Sequence, residues 1–581
     1  MKNRYTGLKL GLVRIALTGA MFSTLQVFAQ ENALEGVARE LVLDEKYIIF
    51  PVASEINEDE CETQVLELEV DGEKVREFKI RLAQGEPAYW FFTETQEFSG
   101  KRATLRALRL ADDQLDSFFA IRVDNTFPGE DEVYTEKLRP QLHFSSRRGW
   151  NNDPNGMMVY KGEYHLFYQH NPYSALGGNM TWGHAVSRDL LHWEELGDAV
   201  HLDEYGTIFS GSGVVDWNNT TGFQTGDEAP LICIFTYSGE CDAGPWSEGQ
   251  PFTQAIAYSN DRGRTWTKYE GNPVQGHVKG NNRDPKVIWW EETQEWVIVL
   301  WLDTGEMAFF RSKDLKRWEL QSILETGEAN ECAELFQLAV DGNEDNKKWI
   351  FYGGTGDYFI GDFDGSHYTP EGKLTRYSYG NCFYASQTFN NVPKEDGRRI
   401  QIGWGLNHAP GMPFDQMMTF PVVLTLHTTE EGLRMFANPV KEIEKLYAKE
   451  HEWTNVAIRA DDSFPAPGVE GELFDIEAVL DVGDAGELGL SIRGEEIVYH
   501  PKEEQLVFGE QTAPLKASDG SIRLRCIVDR TSVEIFANGG QIYMPCKLRA
   551  DDDNKTIAAF ARDGAAEIRS IKLRELESIW K

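Results

Sequence analysis

The chain has 581 residues, enough for roughly two to four domains, and 12% of them are aromatic, including 16 Trp. With 57 Lys and Arg against 94 Asp and Glu, its net charge of −37 repels nucleic-acid phosphates and anionic lipid, which argues against both as partners. The seven Cys show neither a CxxC pair nor zinc-ligand spacing. Cys233 with Cys241 and Cys526 with Cys546 are left open as disulfide pairs.

Residues 1–29 have the pattern of a secretory signal peptide. Positive charges come before residue 10, an apolar stretch runs on to Ala29, and Val27 and Ala29 put small residues at the cleavage-specifying positions. An uncleaved membrane anchor is the alternative, and Arg14 inside the apolar stretch argues against it. No later stretch is long and apolar enough to span a membrane. We therefore expect an exported protein, periplasmic or extracellular, whose mature chain is not inserted in a membrane.

Residues 30–135 alternate apolar and polar side chains in short runs. The runs at 47–52 and 65–70 have the composition of β-strands, and the second is followed by the turn Asp71-Gly72. This pattern predicts a small all-β module at the N-terminus.

Residues 136–440 contain short β-type runs separated by Gly, Asn and Asp turns, with a weak internal repeat. The repeat is Ser-x-Asp with a Trp four or five residues beyond the Asp, and it begins at Ser187, Ser259 and Ser312. Asp favours a tight turn and Trp can pack beneath it, so the repeat predicts one hairpin per blade of a β-propeller. Chance recurrence in a Trp-rich chain is the alternative.

The remaining residues, 441–581, favour a β-sandwich. Lys441–Lys449 is the one stretch here with a helical pattern and is expected to be a connector. Beyond it, alternating runs at 473–480, 522–528 and 532–536 predict strands. The mature chain is therefore predicted to be all-β throughout.

Three carboxylates lie in turns rich in Asn, Gly or Pro rather than in charged runs. Asp153 stands alone among eight residues from Gly149 to Gly156, Asp284 lies between an Arg and a Pro, and Glu331 precedes an apolar run. Their spacing puts them on different blades, whose strand starts converge on the axis of a propeller. Cleavage of a glycosidic bond needs two carboxyl groups that flank that bond. A solvated turn carboxylate is the alternative for each residue alone.

Six motifs occur in the order seen in glycoside hydrolase family 32, which holds invertases, inulinases and levanases. The motifs are Trp150-Asn-Asn-Asp-Pro-Asn-Gly156, Phe167-Tyr-Gln-His-Asn-Pro172, Trp182-Gly-His-Ala185, Phe209-Ser-Gly-Ser212, Arg283-Asp-Pro285 and Glu331-Cys332. The sequence resembles this family over about residues 138–440, and Ile522–Phe536 resembles its C-terminal sandwich. The resemblance implies a five-bladed β-propeller (136–440) followed by a β-sandwich, with the N-terminal β module as an addition.

The resemblance also implies a role for each carboxylate. Asp153 matches the nucleophile, Asp284 the transition-state stabiliser and Glu331 the general acid/base of a reaction that retains configuration through a covalent fructosyl-enzyme. Asp153 must then be ionised while Glu331 carries a proton. Arg283 is expected to orient Asp284, and Cys332 is expected to pack rather than react. The implied reaction needs no metal or cofactor.

Sugar-binding positions are carried over in the same way. Amides and hydroxyls suit sugar hydroxyl groups, and aromatic rings suit the apolar face of a sugar. The expected substrate-binding residues are Trp150, Asn152, Gln169, Trp182, Phe209, Ser210, Arg283 and Trp404. For Trp404, a place at the funnel mouth and a place in the core are both open.

One departure from the family pattern bears on substrate choice. Many invertases carry Asp-Tyr-Gly-Lys where this chain has Ser378-Tyr-Gly-Asn381, so charge-assisted contacts to the glucose of sucrose are expected to be weaker. We expect exo-acting release of fructose from levan or inulin; oligomeric state is not predicted. The alternatives are a sucrose-preferring invertase, an endo-fructanase and, from another class, a non-catalytic carbohydrate-binding protein. The presence of all three carboxylates argues against the last.

Overall fold

The computed structural model describes residues 33–54, 63–239, 244–303, 305–327, 330–551 and 553–580. The predicted signal peptide (1–29) and Cys241 of the first open disulfide pair lie outside these residues. Strands dominate the described chain, which confirms the all-β prediction. None of the described helices combines the length and apolar character needed to cross a membrane.

The N-terminal module contains two small sheets. Its elements are β1 (Ala33–Leu43), β2 (Tyr47–Val52), β3 (Gln64–Val70), β4 (Glu73–Ile80), β5 (Tyr89–Glu94), β6 (Lys101–Ala111), helix α1 (Leu115–Ala120) and β7 (Arg122–Asp124), with 3-10 turns at Gln96–Phe98, Asp112–Gln114 and Glu130–Glu132. One sheet has the order β1-β6-β3-β4 and the other β5-β2-β7. In β3, alternate side chains from Gln64 to Val70 are buried, as the sequence pattern predicts.

Five groups of antiparallel strands form the blades of the propeller. The first three blades are β8 (Gly149–Tyr160), β9 (Glu163–Asn171), β10 (Thr181–Ser187), β11 (Trp193–Val200); β12 (Thr207–Val215), β13 (Leu231–Ser238), β14 (Thr253–Ser259), β15 (Thr267–Lys268); β16 (Arg283–Trp290), β17 (Glu295–Trp301), β18 (Glu306–Ser312) and β19 (Glu319–Glu325). The last two are β20 (Glu334–Val340), β21 (Asn343–Tyr352), β22 (Tyr358–Phe363), β23 (Tyr368–Pro370); β24 (Tyr384–Thr388), β25 (Arg399–Gly405), β28 (Val422–Thr429) and β29 (Gly432–Pro439), with short strands β26 (Phe414–Asp415) and β27 (Met417–Met418) and a 3-10 turn at Pro245–Ser247. A parallel contact between β20 and β28 joins the last two blades into one nine-stranded sheet, and the five-bladed prediction is confirmed.

The Ser-x-Asp…Trp repeat marks equivalent hairpins in the first three blades. Ser187, Ser259 and Ser312 end the third strand of their blades, and each hydroxyl lies 2.7–3.3 Å from the carboxylate of the Asp two residues on. The Asp in turn accepts backbone N–H groups of the turn, for example from His192 and Arg264. The repeat therefore fixes the turn between the third and fourth strands of a blade.

The C-terminal domain is a sandwich of two six-stranded sheets, with orders β30-β41-β32-β37-β38-β39 and β31-β40-β33-β34-β35-β36. Its strands are β30 (Tyr447–Ile458), β31 (Asp462–Glu470), β32 (Phe474–Asp481), β33 (Glu487–Ile492), β34 (Glu495–His500), β35 (Gln505–Phe508), β36 (Gln511–Pro514), β37 (Ser521–Val528), β38 (Ser532–Ala537), β39 (Ile542–Lys547), β40 (Thr556–Arg562) and β41 (Ala566–Leu576), with a 3-10 turn at Asn538–Gly540.

The connector before the sandwich is shorter than expected. The connector is a 3-10 helix only over Lys441–Leu446, and the chain is already a strand at Tyr447, because Tyr447 pairs with Leu576 of β41.

Cys526 and Cys546 are free, buried thiols on β37 and β39. The intervening strand β38 separates their backbones by roughly 10 Å, beyond the reach of a disulfide. Cys233 is likewise a buried free thiol.

A buried ionic cluster joins the propeller to the sandwich. The His143 ring lies 2.7 Å from Asp529 through Nδ1 and 3.1 Å from Glu534 through Nε2, and none of the three is exposed by more than 1%. Burial lowers the pKa of His143, but the hydrogen bonds and charges of the two carboxylates outweigh it and raise the pKa to about 9. Asp529 also accepts the backbone N–H groups of Gln141 and Leu142. The start of the propeller is therefore tied to the sandwich.

Candidate active site

Asp153 projects from an irregularity near the start of β8. The register of β8 against β9 shifts between Asn151 and Pro154, which takes Asp153 out of regular pairing. Ser210 donates a hydrogen bond to its Oδ2 at 2.6 Å, and Asn152 donates to its Oδ1 at 2.9 Å. Burial raises the pKa of Asp153, while these two hydrogen bonds lower it and favour the ionised form.

Asp284 is the second residue of β16 and has a left-handed backbone, with φ of 61°. Such a conformation is costly for a non-glycine residue and recurs at functional sites. Its side chain is 4% exposed, and Oδ2 accepts the backbone N–H of Cys332 at 3.0 Å. Burial raises the pKa of Asp284 to about 7; the charges of Glu331 and Asp153 act in the same direction, and Arg283 opposes them.

Glu331 lies just before β20 and is held by two donors. Tyr384, at the start of β24, donates its hydroxyl to Oε1 at 2.8 Å, and Arg283 donates its Nε to Oε2 at 3.0 Å and a second guanidinium N–H to the same oxygen. Arg283 also forms the expected ion pair with Asp284, at 3.8 Å, but it donates hydrogen bonds to Glu331, a contact that was not predicted. Tyr384 was not predicted as a site residue, although it lies in an uncharged aromatic segment, Cys382-Phe-Tyr-Ala385.

The sulfur of Cys332 lies between the two aspartates. Sγ is 3.6 Å from Oδ2 of Asp153 and 3.5 Å from Oδ2 of Asp284. Burial, together with the nearby carboxylates, raises the pKa of this thiol, so it stays neutral and acts as a weak donor and packing group. Three blades, through β8, β16 and β20, therefore bring Asp153, Asp284 and Glu331 to one place.

Most of the expected sugar-binding residues lie beside the three carboxylates, and one, Trp182, lies behind them in the core. Trp150 donates its Nε1 to Asn152 at 2.7 Å, and Gln169 donates to Ser210 at 3.3 Å, so each lies one contact from the Asp153 shell. Phe209 and Trp404 are partly exposed. The ring of Trp404 stands edge-on to that of Trp150 at 6.0 Å, which places it beside the site.

Trp182 was expected to contact the sugar directly, but the structure buries it. Its side chain has no exposed surface and belongs to the core between the first two blades. Its Nε1 donates to the backbone carbonyl of Phe209 at 3.2 Å, and Gly156 has no room for a Cβ because one would lie 2.5 Å from the Phe167 ring and 3.1 Å from the indole. Trp182 therefore supports the strand that carries Phe209 and Ser210.

Ser378 and Asn381 lie against the sandwich. Ser378 bridges to Tyr543, and the side chain of Asn381 accepts the backbone N–H of Lys547 at 3.0 Å. A Cβ on Gly380 would lie 1.8 Å from the carbonyl oxygen of Pro545, so this segment is pressed onto β39. The Asn381 side chain is therefore used by the sandwich, and the Ser378 hydroxyl is buried without a hydrogen-bond partner among the described residues, so neither side chain is offered to a leaving sugar.

Comparisons with known proteins agree with this architecture. The N-terminal domain model of glycosyl hydrolases family 32 matches residues 143–439, and the C-terminal model of that family matches 442–575. A levanase of Bacillus subtilis is 39% identical over 498 residues, covering 78% of this chain and 72% of its own. An extracellular exo-inulinase of Aspergillus ficuum is 29% identical, covering 77% and 96%.

The fold comparison gives the same family. The crystal structure of an exo-inulinase from Aspergillus awamori is similar with a TM-score of 0.69 and 28% identity, covering 77% of this chain and all of that chain. The N-terminal module precedes both matched regions. This chain belongs to glycosyl hydrolases family 32 and is a glycosidase.

Proposed function

We propose that the protein is an exported, exo-acting β-fructosidase that releases fructose from levan or inulin with retention of configuration. The observation that carries the proposal is the convergence of Asp153, Asp284 and Glu331 from three blades around the sulfur of Cys332. We assign the signal peptide to 1–29, the N-terminal module to 30–135, the propeller to 136–440 and the sandwich to 441–581. Catalysis belongs to the propeller.

In the first step Asp153 attacks the anomeric carbon of the terminal fructose while protonated Glu331 gives its proton to the glycosidic oxygen. The bond from that carbon to the leaving oxygen breaks, and a fructosyl ester forms on Asp153. The hydrogen bonds from Ser210 and Asn152 favour the ionised form of Asp153 that attack requires. Asp284, ionised, stabilises the positive charge that develops on the sugar ring.

In the second step the ionised Glu331 takes a proton from water, and the resulting hydroxide displaces Asp153 from the anomeric carbon. Two inversions give net retention. Tyr384 and Arg283 both donate hydrogen bonds to this carboxylate, which orients it for proton transfer in both steps.

The substrate class is supported by the names of relatives: a levanase and exo-inulinases cover 77–78% of this chain at 28–39% identity, and an exo-inulinase structure shares the fold. The test is kcat/KM for short levan and inulin oligomers and for sucrose, with the early products separated by chain length. The proposal expects higher kcat/KM on a fructan and free fructose as the early product. A clear preference for sucrose would favour the invertase, early oligosaccharides the endo-fructanase, and binding without turnover the non-catalytic alternative.

Export is tested separately. Cleavage after Ala29 leaves Gln30 as the first residue of the exported protein. Intact mass and N-terminal sequencing of protein recovered outside the cytoplasm measure this directly. A functional protein that keeps Met1 would refute the cleavage.

A further inference from the structure

The loop between β9 and β10, residues 172–180, joins the propeller to the N-terminal module; we call it the rim loop. It starts beside the strand of the nucleophile, because Asn171 pairs with Trp150 of β8. Its Tyr173 is 2% exposed and belongs to the hydrophobic core of the module. There the Tyr173 ring stacks on Phe78 of β4, with 4.0 Å between ring centroids and 11° between planes. A residue of the propeller therefore completes the core of the module.

The same loop supports the aromatic edge of the active site. The carbonyl of Ser174 accepts the backbone N–H of Trp150 at 2.9 Å, and a Cβ on Gly177 would lie 3.9 Å from the indole. The indole Nε1 donates to Asn152 at 2.7 Å, and Asn152 donates to Asp153 at 2.9 Å. A continuous series of contacts runs from the core of the module to the proposed nucleophile.

Strand β4 of the module also contacts two loops at the active-site end of the propeller. The backbone N–H and carbonyl of Lys79 bond both polar atoms of the Asn179 side chain, each at 2.8 Å, at the end of the rim loop. The buried carboxylate of Glu77 accepts the backbone N–H of Trp246 at 2.9 Å, in the loop that follows β13. Lys74 lies over the Trp246 ring at 5.0 Å. One strand therefore ties together the rims of blades one and two.

We propose that the N-terminal module is a working part of the active site, in which Tyr173 is the positioning residue that fixes the rim loop and, through Trp150 and Asn152, the orientation of Asp153. This rests on the proposed function for the role of Asp153. The module thereby acts on catalysis without touching the substrate.

The physical reason lies in the loop itself. Gly177 and Gly178 are adjacent, and Gly178 has φ of 128°, so the segment behind Trp150 has more backbone freedom than other residues would allow. The module supplies two fixed points, the stack on the Tyr173 ring and the bonds to the Asn179 side chain, and Asn171 of β9 holds the loop from the propeller side. Misplacement of a catalytic group by 1 Å can cost about 100-fold in rate, so a loop of this kind needs an external anchor.

The test compares Tyr173→Leu, Phe78→Leu and Tyr173→Phe in the full-length protein. Tyr173→Leu and Phe78→Leu each remove one of the two stacked rings, and Tyr173→Phe keeps the ring at 173. Phe118→Leu is the matched control, because Phe118 is an equally buried ring of the same core that packs edge-on against Phe119. Each variant is measured for kcat, KM, melting temperature and the dissociation constant of free fructose, the last by ligand-induced thermal shift, which needs no turnover.

We expect Tyr173→Leu and Phe78→Leu to lower kcat/KM by about 10- to 100-fold and to weaken fructose binding, with Tyr173→Phe near the parent. Phe118→Leu should lower the melting temperature and leave kcat/KM of the folded enzyme unchanged. If Tyr173→Leu keeps kcat/KM and fructose affinity within twofold of the parent while losing stability as Phe118→Leu does, the module is only structural. A parent protein without fructan hydrolysis would instead refute the proposed function, while fructose affinity still tests the positioning role.

Discussion

Replacing Asp284 with Asn is expected to stabilise the protein while it removes activity. Asp284 is 4% exposed and accepts the Cys332 N–H at 3.0 Å, a bond that the amide oxygen of Asn can also accept. The loss of its charge from the transition state should reduce kcat by about 100-fold or more. A buried carboxylate retained at a cost in stability is a common feature of active sites.

The magnitude follows from the pKa of Asp284, which burial raises to about 7 in the folded protein, against about 3.9 in an unfolded chain. Between these values the folded protein holds a proton that the unfolded chain has released. The free energy of unfolding therefore decreases as pH rises from about 4 to 7, and the full penalty is present above pH 7. Three pKa units set a limit of about 4 kcal/mol, and since Asn also loses the attraction of Arg283, the gain is on the order of 1–4 kcal/mol.

The assay is the melting temperature of parent and Asp284→Asn at pH 5 to pH 8. We expect the variant to melt higher, by a few degrees, with a gap that widens toward pH 8, since 1 kcal/mol shifts a unit of 150–250 residues by roughly 2–4 °C. Asp529→Asn is the control of opposite sign: His143 and backbone N–H groups lower the pKa of Asp529 despite its burial, so this variant should melt lower. An Asp284→Asn protein that melts lower at pH 8 would refute the reasoning.

Three further predictions follow from the geometry. Glu331→Gln should reduce fructan turnover by roughly 10²–10⁴-fold and substrates with good leaving groups less; near-normal turnover contradicts the assignment. Tyr384→Phe removes the hydrogen bond donated to Glu331 and should lower kcat/KM about tenfold, whereas an unchanged value would show that the contact is incidental. The raised pKa of His143 stabilises the parent fully below about pH 6.5, and that stability is lost as pH rises through about 9. Melting curves of His143→Gln should lack this alkaline loss, and an identical loss in both proteins would place its cause elsewhere.

The sequence was most informative where a short motif also determines backbone geometry. The Ser-x-Asp…Trp repeat identified real hairpins, because the Asp at 189, 261 and 314 bonds the turn that follows it locally. Asp153 and Asp284 could be singled out because each stands in a turn without other acidic residues, and Glu331 because Glu331-Cys332 completes the ordered set of family motifs. Their convergence depended on the propeller, which strand patterning and the family resemblance both indicated.

The errors concern contacts between segments distant in sequence. Arg283 pairs with its neighbour Asp284 as expected, but its hydrogen bonds to Glu331 on the next blade were not predicted. Trp182 is covered by packing of the first two blades, and Asn381 is used by the sandwich. Burial of Tyr173 in the N-terminal module depends on the docking of that module. No local pattern of apolar and polar residues carries such information.

The central claim is that Asp153 forms a covalent bond with fructose. The most direct measurement is peptide mass spectrometry of Glu331→Gln after brief reaction with a fructosyl fluoride, whose leaving group needs no protonation while the missing base slows hydrolysis of the ester. The account predicts a mass increase of one fructosyl residue on the peptide that contains Asp153, and its absence in Asp153→Asn. A fructosyl group on the Asp284 peptide, or continued turnover with no labelled peptide, would contradict it.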